Sequence, residues 1–71
     1  MKTFYAWLLC QQNRPDEIGD LARDVKEDSG FPIGASPIAA KAHLELSGAC
    51  DGAIIAIGDA ANEFAGWCRH A

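Results

Sequence analysis

Seventy-one residues leave room for one small domain, expected to span residues 1–71, and exclude a two-domain enzyme. With 49% hydrophobic and 23% charged residues, the chain is neither a disordered tail nor a fibrous repeat, so it should fold. A net charge of -4 argues against a protein built mainly to wrap a phosphate backbone, a task that needs a surplus of lysine and arginine.

Thr3 is placed to cap a first helix in which Phe4, Trp7 and Leu8 recur at helical spacing, with Tyr5 and Leu9 widening the stripe. This helix is predicted to end near Gln12. The apolar start is too short for an export leader, and no run approaches the roughly 20 residues a bilayer crossing needs, so a cytoplasmic protein away from membranes is expected. Asn13-Arg14-Pro15-Asp16 reads as a turn. Beyond it, Ile18, Leu21, Ala22 and Val25 mark the clearest amphipathic helix, whose opposite face carries Asp16, Glu17, Asp20, Arg23, Asp24 and Glu27. The early acids suit the positive end of the helix dipole.

Ser29-Gly30-Phe31-Pro32 is a stop signal: Gly30 for a left-handed cap, Phe31 to fold back on the helix, and Pro32 to prevent continuation. Asp28, just before it, is suited to bind nearby backbone amides. Ser36 and Pro37 form a second start signal, for a helix through Ala39, Ala40, Ala42 and Leu44 to about Leu46, closed by Ser47-Gly48. From Asp51 a fourth helix carries Ile54, Ile57, Ala61, Phe64 and Cys68 on one face, with Trp67 at its border and Gly58 permitting a close helix contact. No segment alternates polar and β-branched residues, so the fold class is all-α: a compact bundle of about four short helices. Such helices are marginal alone, and a core of Phe4, Trp7, Leu8, Leu21, Val25, Phe31, Leu44, Ile57 and Phe64 is expected to hold them. A homodimer would add stability to a core this small.

The three cysteines, Cys10, Cys50 and Cys68, are odd in number and have no close pair, as expected of free, partly buried thiols. His43 and His70 add soft atoms, but neither C-x-x-C nor H-x-x-x-H occurs, so no metal and no cofactor is expected. Asp20 and Asp24 share one helical turn, an arrangement that would suit a cation or acid-base chemistry inside a cleft. Nothing in the sequence builds such a cleft, and a solvated face with Arg23 pairing to Glu27 is the simpler reading. His43 reads as a partly buried packing residue. With no nucleophile elbow and no glycine-rich phosphate loop, enzymatic chemistry is not expected. Trp7 is assigned to the core and Trp67 to the rim or to a contact with another chain. The candidate interaction surface is therefore Asp20, Arg23, Asp24, Glu27 and Trp67.

Several stretches together resemble the small bacterial YozE-like proteins, whose fold is similar to the sterile alpha motif. They are Thr3-Phe4-Tyr5 with Trp7-Leu8, Ile18-Gly19-Asp20-Leu21-Ala22-Arg23-Asp24-Val25, Asp28 with Phe31-Pro32, His43-Leu44-Glu45-Leu46-Ser47-Gly48 and Ile57-Gly58-Asp59-Ala60-Ala61. They span nearly the whole chain, and the isoleucine-glycine-aspartate pattern followed by the phenylalanine-proline stop is the most specific. The second half departs from the family pattern at His43, Gly58 and Asn62. The resemblance implies a compact bundle of about four helices, no established enzymatic activity, and a nucleic-acid role by fold analogy alone.

The expected function is a non-enzymatic interaction module that contacts a protein partner or associates with itself, on the ground of excess apolar surface. Nucleic-acid binding is the alternative, opposed by the charge balance.

Overall fold

Local capping decides where the helices begin. In a computed structural model, which describes residues 2–70, the Thr3 hydroxyl accepts a hydrogen bond from the Ala6 amide and opens α1 (Phe4–Leu9). Asp16 does the same for the Gly19 amide at the start of α2 (Glu17–Glu27). Ser36 receives the Ala39 amide at α3 (Pro37–Leu46), where Pro37 takes the first position. Each cap satisfies a donor that the first turn leaves open. The longest helix, α4 (Asp51–His70), starts on an acid and ends on Arg69 and His70, matching the dipole at both ends. The protein is all-helical, as the sequence predicts, and no strand occurs among the described residues.

The boundaries differ in detail. Helix α1 stops at Leu9 rather than near Gln12, because the amides of Cys10, Gln11 and Gln12 bond to carbonyls three residues back, at 3.1, 2.9 and 3.3 Å. That tighter winding turns the chain toward Pro15. Asp16, expected on the exposed face of the second helix, stands before it as the cap. Gly30 does not take a left-handed conformation; among the described residues only Gly48 has a positive φ, of 77°. Asp28 closes α2 instead: Oδ1 accepts from the Gly30 amide at 3.0 Å, and the Asp28 carbonyl accepts from the Phe31 amide at 3.1 Å. A short acid thus performs the task assigned to glycine. At Gly48 the expected stop forms as a Schellman motif, with the Ala49 amide reaching the Leu44 carbonyl at 3.0 Å and Gly48 reaching Glu45 at 3.3 Å.

All four helices share one core, and α4 packs against each of the other three. Phe4, Trp7, Leu8, Leu21, Val25, Phe31, Leu44 and Ile57 are buried as expected, each large side chain contributing about 1.5 to 3 kcal/mol. Phe64 lies half-buried at the edge, and Ala61 and Cys68 are likewise only half-buried. Ile18, Ala22, Ala40, Ala56 and Ala60 complete the centre, and the alanines let the helix axes approach. Gly58 makes no close helix contact, since a β-carbon there would meet nothing within 4 Å. No polar or charged residue is buried among the described residues.

Candidate functional site

The polar face of α2 is the consequence of its periodicity: with Ile18, Leu21, Ala22 and Val25 turned inward, Glu17, Asp20, Arg23, Asp24 and Glu27 are left exposed. The Arg23 guanidinium pairs with Asp20 rather than with Glu27, and also donates to the Gln12 and Arg14 carbonyls. A helical side chain leans back toward the N-terminus, and there the tight turn after α1 offers carbonyls that no helix satisfies.

Beside this face runs a shallow open groove, which leaves Asp20 and Asp24 at its rim rather than enclosing them. It consists of two open depressions of about 290 and 180 Å³ between α2 and α4. Gly52, Ala53 and Ala56 of α4 are too small to fill the space opposite Leu21, so a trough remains with Glu17, Asp20 and Asp24 at its rim. The second depression continues along Val25 and Leu44 to Asp28. Asp20 is engaged by Arg23, so it and Asp24 are not a free carboxylate pair. No group of three His, Cys, Asp or Glu side chains able to hold a metal occurs among the described residues.

Trp67 lies elsewhere. Its indole is 38% exposed near the end of α4 and stacks on Phe64 at 6.0 Å between ring centroids. Phe64 in turn meets Phe4 at 5.4 Å and Trp7 at 5.6 Å. The candidate residues therefore divide between two surfaces, the α2 face and the aromatic margin where α4 meets α1. Among the described residues no ion pair, hydrogen bond or ring contact joins the two. Cys10 and Cys50 are exposed and Cys68 is half-buried, all three as free thiols, so only Cys68 matches the expected partial burial.

Two polar links tie the scaffold of the α2 face. Arg14 forks onto Glu63 of α4, Nη1 to Oε1 at 2.8 Å and Nη2 to Oε2 at 3.1 Å, while its Nη2 also meets Asp16 Oδ2 at 2.6 Å. Those hydrogen bonds hold the carboxyls of Asp16 and Glu63 below their usual range and raise Arg14. His43 Nε2 lies 2.8 Å from Asp28 Oδ2, and its ring sets an edge against Phe31. The His43 contact, and after it the Gly30 amide, lowers the Asp28 carboxyl.

Sequence reasoning missed the most exposed apolar residues: Ile33, Ile38, Leu46 and Ile55. The available signal was that Pro37 to Leu46 is apolar on every side, which a helix buried along one face does not require. Ala40 and Leu44 turn inward, and Ile38 and Leu46 are left 84% and 90% exposed.

Comparison with known proteins places this geometry in a family. Searches of curated proteins and of solved structures find no match. A family model described as the YozE SAM-like fold matches residues 3–66, covering all of α1 to α3 and most of α4. The chain belongs to the YozE SAM-like family.

Proposed function

We propose that the protein is a non-catalytic helical module of the cytoplasm that works by binding protein. The supporting observation is its apolar surface: Ile33, Ile38, Leu46 and Ile55 are exposed although the core could have been closed with polar residues at those positions. Apolar surface left to water is recovered energetically only when another surface covers it. Binding to nucleic acid is disfavoured by the net charge of -4 and by the occupation of two cations, Arg14 by Asp16 and Glu63 and Arg23 by Asp20.

The test is affinity capture from the native cytoplasm, followed by calorimetry with the purified partner and with an Ile55→Glu variant. A saturable complex weakened by that substitution is expected. Labelled DNA and RNA titrated at low salt should show no binding. Salt-sensitive nucleic-acid binding, with no protein complex, would overturn the reading.

A further inference from the structure

We propose that the outward face of α3 binds a second copy of this chain, forming a closed antiparallel helix pair about a two-fold axis at Ala42. The proposal deepens the protein-binding reading by naming a partner, and it rests on that reading.

Helical geometry of about 100° per residue places Ile38, Ala42 and Leu46 along one stripe, with Ala39 on one flank and Glu45 and Lys41 on the other. All six are exposed, and the stripe points directly away from the buried Ala40 and Leu44. Ala42 at its centre permits close approach of a second helix axis. Ile38 and Leu46 each lie four residues from Ala42, or about 6 Å along the axis. In an antiparallel pair centred there, Ile38 of one copy therefore meets Leu46 of the other, twice.

Charge decides the orientation. Neither Lys41 nor Glu45 has a partner within 4 Å among the ion pairs of the described residues. Both lie on the same flank, so the two-fold operation brings Lys41 of each copy beside Glu45 of the other, with an axial offset of about 3 Å. A parallel two-fold pair would instead turn this flank of each copy toward the Ala39 flank of the other, leaving Lys41 and Glu45 without opposite charges to meet. The one acid and one base on this otherwise apolar face thus complement their own rotated image.

The pair is weak. A ten-residue helix is about 15 Å long. It therefore buries less than the roughly 800 Å² per partner of a standard interface, and half-association on the order of 100 µM is expected.

Sedimentation equilibrium on the purified chain, from micromolar concentration to about 1 mM, tests this. Wild type should pass from monomer to dimer without higher species, and Leu46→Glu should remain monomeric with an unchanged circular dichroism spectrum. Lys41→Glu and Glu45→Lys should each weaken the dimer about tenfold. Mixing these two variants, or combining them in one chain, should restore it. A wild-type monomer at the highest concentration overturns the proposal, as does dimerisation indifferent to the charge reversals or a mixture that fails to associate. In the first case the binding of a different protein still stands or falls by the capture experiment, so the two failures are separable.

Discussion

Gly19 lies so close to the Arg14 carbonyl that a β-carbon added to it would stand 1.9 Å from the oxygen. The contact is between backbones, so no side chain can rotate to relieve it. It explains why a glycine occupies the first turn of a helix that otherwise has good formers. Gly19→Ala gains at most about 1 kcal/mol of helix propensity. It loses about 1 to 3 kcal/mol or more through overpacking. The expected net result is a lower urea midpoint, and an unchanged or higher midpoint would show that the turn before α2 yields freely.

Gly58 is the opposite case. A β-carbon there meets nothing within 4 Å, and the residue lies inside α4. Gly58→Ala should raise stability by about 0.5 to 1 kcal/mol through propensity and a less free unfolded chain. Thermal unfolding monitored by circular dichroism checks this; a fall in the midpoint would mean that the glycine contributes a contact the structure lacks.

Acid should loosen the protein within a defined window. Arg14 lowers the carboxyls of Glu63 and Asp16, and His43 lowers that of Asp28, so each folded value lies beneath the unfolded one. Their stabilisation is complete above the ordinary carboxylate values of about 4 and is lost as pH falls through the lowered folded values. The urea midpoint should be level from about pH 7 to 5 and decline below about pH 4. Arg14→Gln should flatten part of that decline. The Arg14 and Glu63 side chains are 30% and 47% exposed, so solvent screening limits their pair to about 1 kcal/mol.

The two indoles should report separately. Trp7 is buried at 6% exposure, whereas Trp67 is 38% exposed. Iodide should quench the emission of a Trp7→Phe variant strongly and that of a Trp67→Phe variant weakly. Equal quenching would contradict the placement of Trp67 at the margin of the α1 and α4 aromatic cluster.

The helix starts were legible because their signals are local. Thr3 and Ser36 each precede a run with helical spacing, and each accepts the amide three residues ahead. The large core residues were legible because bulk and periodicity coincide in Phe4, Leu21, Val25 and Ile57. Ala22 was legible on the apolar stripe of α2, but Ala40, Ala56 and Ala60 were not: they become central only when the other helices close over them, and composition gives a small residue no direction. Gly30 misled because a left-handed cap is the usual exit from a helix, whereas here Asp28 competes for the same amides and succeeds. The groove beside Asp24 and the outward stripe of α3 depend on which neighbours are absent. The surface they form is a property of the assembled helices and not of any segment alone.

The position of α4 carries a consequence for the order of events during synthesis. Because α1, α2 and α3 each pack on a helix beginning at Asp51, the growing polypeptide can set α1 against α2 but cannot close the shared core until α4 has been translated. The Arg14 to Glu63 clasp, spanning 49 positions, can fasten only then. Folding is therefore expected to await the last segment's emergence from the ribosome, leaving the earlier ones dependent on whatever shelters nascent chains in the interval.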